Sequence, residues 1–366
     1  MDQVRYGVVG CGWISQQYFL PGVANTGNSS VGALVSDDEA KLRQLGDRYH
    51  VPAEARYGYE QFEQMLDADV VDALYIATPN WKHLEFAVTA LERGIPVLLE
   101  KPAAVSVAEC QAMIEAAERG NAPLMLAYRL HFEPATLAAV AAVREGKLGD
   151  VRLFTSTFGQ PVDPANHRAH SGFWAGPVAD MGPYPINAAR MLFGAEPIEV
   201  HATGTRRAEL EFDFHDTVAV TLRFPGERLA QFVVSYAGSA GVNTYRIVGT
   251  QGDLRVEPCF DLSVDYHHYL TIDGESSHQT FMQTDHFGGE TQYFSECVIQ
   301  GKKPEPDGLE GLADVRIIAA IETALTTGQP QLLEPFDRGQ QVDPANARHL
   351  SPVELPPLVD AATPQG

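Results

Sequence analysis

The sequence predicts an α/β domain on a parallel sheet, followed by an α+β domain on an antiparallel sheet. Three observations carry this. The first third alternates short apolar runs with helix-like stretches, a glycine-bearing turn closes the first of those runs, and after about residue 129 strand-like runs follow one another with turn signals between them. At 366 residues the chain exceeds one ordinary core, so two domains are expected.

Taken in order, apolar runs at Val4–Val9, Val31–Val35, Val70–Ala77, Val97–Glu100 and Leu124–Ala127 read as strands. Helical stretches fall near Glu39–Arg48, Tyr59–Leu66, Trp81–Arg93 and Val107–Arg119, the last opened by a capping box of Ser106 and Glu109. Strands and helices alternating at this spacing are βαβ units. Helices are next expected over Pro134–Glu145 and Pro183–Phe193, each ended by a glycine. Strands are expected at Val151–Phe158, Ile198–Thr203, Thr217–Phe224, Leu229–Tyr236 and Asn243–Gly249, with Pro225-Gly226 as a hairpin turn. Two further helices, His286–Gln300 and Leu312–Thr326, precede a proline-rich polar end. The expected divisions are 1–128, 129–330 and an extended tail over 331–366.

Composition narrows the function. A net charge of −22 argues against nucleic acid, whose phosphates would be repelled, and suits a small neutral substrate. No apolar run approaches the roughly 20 residues of a membrane helix. The opening residues lack the basic, apolar and small-residue order of a secretion signal, so a cytoplasmic location is expected. Four scattered cysteines without C-x-x-C pairing read as free thiols, and the histidines lack metal-ligand spacing, so no metal is expected.

The first strand runs into Gly10-Cys11-Gly12, with Ser15 where the third glycine of G-x-G-x-x-G would stand. Gly10 serves a sharp turn, Gly12 lets a pyrophosphate approach the backbone, and helix amides face the phosphates. Trp13 and Ile14 follow in the same turn. The second strand ends at Ser36-Asp37, where a carboxylate would hold the ribose hydroxyls of NAD and repel a 2′-phosphate. Lys41 pulls towards NADP, and an acidic helix start explains the same carboxylates without a ligand. NAD or NADP is therefore expected, with a lean to NAD.

A specific resemblance begins at Glu100-Lys101-Pro102, preceded by Ala77-Thr78-Pro79-Asn80 and His83. With Ala127-Tyr128-Arg129-Leu130-His131, Asp180-Met181-Gly182-Pro183-Tyr184 and Gly194-Ala195-Glu196-Pro197, the chain resembles the Gfo/Idh/MocA oxidoreductases, in particular their glucose–fructose oxidoreductase-like branch. The resemblance spans residue 4 to about 330. It implies a nicotinamide cofactor on the Rossmann sheet, a sugar-like substrate, a large open-faced antiparallel sheet, and a homodimer or homotetramer formed through that sheet. Lys101 and Tyr184 stand at the positions that carry the family's chemistry. Two departures are visible: Ala175-Gly176-Pro177 replaces the usual glycine triplet, and Pro183 and Pro185 flank Tyr184.

The resemblance implies hydride transfer between nicotinamide and a sugar or cyclic polyol. A phenol ionises at about pH 10, so a neighbouring cation is needed to make it a base. Lys101 fills that role for Tyr184, and Asp180 holds a substrate hydroxyl or the lysine. Thr78, Pro79, Asn80, His83, Glu100 and Arg168 are assigned to the cofactor, Tyr128 and Arg129 to the substrate. Each has a duller reading: Tyr184 a core tyrosine, Asp180 a helix cap, His83 a surface residue, Arg129 a partner for a carboxylate. Two alternatives stay open for the whole chain: a sensor that binds NAD(P) or sugar without turnover, and a reductase of dihydrodiols or anhydrosugars.

Overall fold

The chain is described from a computed structural model covering residues 2–238 and 240–365, apart from the side chains of His167 and Arg168. It divides into two compact units, neither continuous in sequence. The first comprises Met1–Phe132, Thr284–Leu312 and Arg348–Thr363, and the second Glu133–Gln283, Ala313–Ala347 and Pro364–Gly366. The linear boundaries expected at 128 and 330 miss two returning segments. The helix His286–Gln300 belongs with the first unit because its apolar and hydroxyl face completes that core: Phe287 and Phe294 are buried, and Ser295 bonds Tyr6 and Ser29 at 2.8 Å each. Complementarity of this kind is invisible to a scan along the chain.

The first unit holds six strands: β1 (Val4–Val9), β2 (Ser29–Val35), β3 (Arg56–Tyr57), β4 (Ala73–Ile76), β5 (Val97–Leu99) and β6 (Leu124–Leu126). They pair in parallel in the order β3-β2-β1-β4-β5-β6. Helices cover both faces of such a sheet, so its inner strands are largely apolar, and every residue of β4, β5 and β6 is buried. The order reverses between β1 and β4, which opens the crevice where ligands of this fold bind. At two residues, β3 is too short to leave a hydrophobic period and was not expected. Ser106 does accept from the Glu109 amide (3.2 Å), but the Glu109 carboxylate reaches the Val105 amide, so the capping box is displaced by one residue.

The second unit has nine strands: β7 (Val151–Gly159), β8 (Glu199–Thr205), β9 (Thr217–Phe224), β10 (Arg228–Ser235), β11 (Val242–Gly249), β12 (Gly252–Val256), β13 (Tyr266–Ile272), β14 (Glu275–Phe281) and β15 (Gln331–Leu332). Their order is β14-β13-β12-β11-β7-β10-β9-β8-β15. The sheet is mixed and not purely antiparallel, because β7 and β10 run parallel at its centre. The chain leaves β7 through the loops and helices of 160–198 and returns by way of β8 and β9 before filling that place. β12, β13, β14 and the two-residue β15 were not expected from the sequence. β14 is polar and exposed almost throughout, so it has no apolar alternation, although Asp273-Gly274, both at positive φ, is a hairpin-turn signature before it.

Candidate active site

The dinucleotide turn is built from backbone constraints. Gly10 has φ +94°, and a Cβ there would stand 2.7 Å from the Ala77 carbonyl oxygen. Around Gly12 nothing lies within 4 Å of the corresponding point, leaving open space beside the backbone where a pyrophosphate would pass. The departure at Ser15 has a physical reason: its hydroxyl is fully buried and donates to the Gly10 carbonyl at 2.6 Å, pinning the turn from inside. Gln16, also fully buried, donates to the Cys11 carbonyl at 2.9 Å. Trp13 and Ile14 are half-buried, and the Trp13 indole donates to Gln17. Across the turn, the buried Thr78 hydroxyl has no partner among the described residues. An open cradle and an unused hydroxyl beside it fit a dinucleotide.

At the end of β2 it is Asp38 that caps the helix Glu39–Arg48, accepting from the Lys41 amide at 2.9 Å. Asp37 is exposed and lines a cleft with Ser36, Leu42, Arg43, Arg56 and Glu60. The ligand-free explanation therefore applies to Asp38 and leaves Asp37 available. Arg56 is held by the Val51 carbonyl and Asp47, whereas Arg43 is exposed and makes no ion pair among the described residues. Arg43 was not picked out from the sequence, although it follows Asp37 and Lys41 in the segment where a 2′-phosphate would lie.

Beyond β4, Pro79 and Asn80 lead into the helix His83–Glu92. His83 is neither a surface residue nor an open ligand: its ring is 1% exposed and fills the space between three backbone carbonyls, Thr78 at Nε2 and Pro102 and Ala103 at Nδ1. Burial pushes its pKa down to about 4, against the pull of those carbonyls. It braces the loop carrying Lys101. Glu100 accepts from the Tyr75 hydroxyl at 2.7 Å and from the Lys101 amide at 3.2 Å. Burial raises its pKa, while the Lys101 charge pulls it back.

Tyr128 and Arg129, assigned to the substrate from the sequence, are both buried. Tyr128 is 6% exposed and stacks on His131, and Arg129 is 4% exposed and donates to His286 Nδ1 at 2.6 Å. The returning helix supplies two groups that were not anticipated. His286 is held well below the usual histidine range by burial and the Arg129 charge. Glu290 is fully buried, neither carboxyl oxygen has a partner among the described residues, and burial together with Glu100 raises its pKa well above normal.

In the second unit, Asp180 ends a short helix, Pro177–Asp180, and Tyr184 lies in the first turn of the next, Pro183–Phe193. Asp180 does not cap that second helix; it accepts from the Tyr236 hydroxyl at 2.8 Å. Every residue of Pro183–Phe193 is buried except Tyr184, whose ring packs edge-on against Phe158 and tilted on Phe260. Arg190, three-quarters of the way along, is fully buried and paired to Glu196 and Asp314. The side chain of Arg168 lies outside the described residues.

Strand order, glycine turn and crevice define a dinucleotide-binding protein of the Rossmann class. Residues 4–128 match the family described as "Oxidoreductase family, NAD-binding Rossmann fold", and residues 136–255 match the "GFO/IDH/MocA C-terminal domain". The chain is similar to the D-xylose 1-dehydrogenase [NADP(+)] of Haloarcula marismortui, 31% identical over 334 residues, covering 89% of this chain and 92% of that protein. It is also similar to human trans-1,2-dihydrobenzene-1,2-diol dehydrogenase, 29% identical, with coverage of 90% and 98%. Among solved structures, aldose–aldose oxidoreductase from Caulobacter crescentus, complexed with glycerol, superposes with a TM-score of 0.85 at 32% identity, covering 90% of this chain and all of that one. The chain belongs to the Gfo/Idh/MocA family and is an NAD(P)-dependent oxidoreductase. The lean towards NAD finds no support, since the xylose dehydrogenase relatives carry NADP(+) in their names. No helix among the described residues is long and apolar enough to cross a membrane.

Proposed function

We propose that this enzyme transfers hydride between NADP and an aldose or related cyclic polyol, with Tyr184 as acid/base and Lys101 as its cationic assistant. The observation that carries the reading is the helix Pro183–Phe193, which buries every side chain but that of Tyr184, on a chain similar along most of its length to a xylose dehydrogenase and an aldose–aldose oxidoreductase. Bound nicotinamide supplies the acceptor for the hydride that leaves the hydroxyl-bearing carbon. Tyr184 takes the hydroxyl proton, and Lys101 stabilises the phenolate. Glu100 fixes the Lys101 backbone through its amide, and His83 braces the loop from below. Asp180, which accepts from the Tyr236 hydroxyl, receives a second sugar hydroxyl in this reading. Gly10, Gly12, Trp13, Ile14, Ser36, Thr78 and Asn80 hold the dinucleotide, and the cations Lys41 and Arg43 favour NADP over NAD.

Leu229 of β10 and its register partner Leu153 of β7 are 45% and 39% exposed, which supports a homo-oligomer formed through this sheet. The test of function is absorbance at 340 nm with NADP and NAD separately, across aldoses, polyols and a trans-dihydrodiol. Reduction with an aldose and NADP is expected. Turnover of the dihydrodiol alone would move the assignment to the second reading, which the human relative favours. Tight cofactor binding without turnover of any compound would favour the sensor.

A further inference from the structure

The segment Arg348–Thr363 lies within the extended tail expected over 331–366. It contains no helix or strand, yet it clusters with the first unit and is fastened to it repeatedly. The Arg348 amide donates to the Phe132 carbonyl at 2.8 Å, and its guanidinium pairs with Glu296 at 2.6 Å. The Asp285 amide bonds the Leu350 carbonyl at 3.0 Å, Asn25 bonds that of Ser351 at 2.9 Å, and Arg48 bonds that of Pro357 at 3.0 Å. An extended segment without ladder partners must find its backbone bonds elsewhere, and here backbone groups and side chains of the first unit supply them.

The last of these fastenings is of a different kind. The Val359 amide donates to Gln16 Oε1 at 2.8 Å, and Gln16 Nε2 returns a bond to the Val359 carbonyl at 2.9 Å. Val359 is 6% exposed and Gln16 is fully buried. The same Gln16 Nε2 donates to the Cys11 carbonyl, and the Gln16 amide bonds the Gly12 carbonyl at 3.0 Å. One carboxamide therefore has both hydrogens and its oxygen committed, to the strap on one side and to the Gly10-Cys11-Gly12 turn on the other. Had the segment only covered apolar surface, its contacts would end on helix exteriors, as those of Arg48 and Asn25 do.

We infer that the C-terminal strap is part of the dinucleotide site: docking of Val359 on Gln16 holds the phosphate-binding turn in its binding shape, so strap docking and cofactor binding strengthen each other. Gln16 is thus a positioning residue for the cofactor. By linkage the coupling is reciprocal: whatever affinity the docked strap adds for the dinucleotide, the dinucleotide adds for the docked strap. The strap is drawn from structure without a ladder, the kind of segment that opens locally at low cost, so it can report on the turn. The inference needs dinucleotide binding alone, and a failed sugar assay leaves it standing.

The test is amide hydrogen exchange over residues 349–363 in the full chain, with and without saturating NADPH, then with NADH. Exchange around Val359 is expected to slow by about tenfold on cofactor binding. Exchange that is the same in both states would overturn the inference, whatever any variant does. Gln16→Met, which keeps the volume and removes all three side-chain bonds, is expected to weaken NADPH binding about tenfold by fluorescence titration and to abolish the cofactor's effect on strap exchange. A folded Gln16→Met chain with unchanged affinity would also refute it. Arg48→Ala, at an exposed anchor remote from the turn, provides a variant whose folding is not in question; it is expected to weaken binding by about twofold and to speed strap exchange.

Discussion

The two sheets of this protein are stabilised in opposite ways. In the first, parallel strands are covered on both faces and β4, β5 and β6 are buried at every position, so the sequence reads as unbroken apolar runs. In the second, burial alternates, as along β9, and one face of β10 leaves Leu229 nearly half exposed. The first sheet is a closed platform whose function is confined to the loops at its strand ends. The second is a surface in its own right. The difference is one of exposure: in the first unit His83 braces the loop that carries Lys101, and in the second Tyr184 is the one side chain of Pro183–Phe193 that is not buried.

The largest effect expected from breaking this arrangement is chemical. Lys101→Ala and Tyr184→Phe, one in each region, should each lower kcat by about 10²- to 10⁴-fold while NADPH titration stays near wild type. A near-normal rate in either variant removes that residue from the mechanism. Next comes packing. Leu98→Ala, in the fully buried β5, should cost about 2–5 kcal/mol in urea unfolding. Leu229→Ala, 45% exposed, should change monomer stability by no more than about 0.5 kcal/mol and instead shift the elution volume in size-exclusion chromatography. Equal costs would erase the distinction between the sheets.

Acid should act on both units through buried neutral histidines. His83 in the first and His268 in the second are each pushed down to about 4 by burial, and His286 lies well below its usual range. The unfolded chain takes up these protons below about pH 6.5 and the folded chain does not, so stability falls as pH drops from about 6.5 towards 4. His83 alone accounts for on the order of 3 kcal/mol by pH 4. Glu100 and Glu290, with raised pKa values, work in the opposite direction, so the contribution is read as the difference between wild type and His83→Gln. Identical acid profiles for the two would contradict it. A further effect concerns the cofactor's far end: Arg43→Ala should weaken NADPH binding by roughly tenfold and leave NADH unchanged, the loss of one charge-assisted bond of about 1.5 kcal/mol. Equal loss for both cofactors would place Arg43 away from the 2′-phosphate.

Local physics was enough for much of this protein. Apolar runs announced five of the six parallel strands, because a strand buried on both faces must be apolar at every residue. Gly10 and Gly12 announced the dinucleotide turn, because one needs positive φ and the other an open backbone. The helix limits His286–Gln300 were read along the chain, and the start of Pro183–Phe193 agrees with proline chemistry in a first helical turn. Tertiary structure decided the rest. β14 carries no periodicity because neither of its faces is buried, and the parallel pairing of β7 with β10 depends on a return path that no local signal encodes. Arg129 and His83 were legible as residue types, but only long-range packing sets Arg129 against His286 and His83 against the carbonyls of the Lys101 loop. Gln16 and Val359 are 343 residues apart, and their pairing exists only once the chain has closed on itself, since a hydrogen bond is specified by geometry and not by sequence distance.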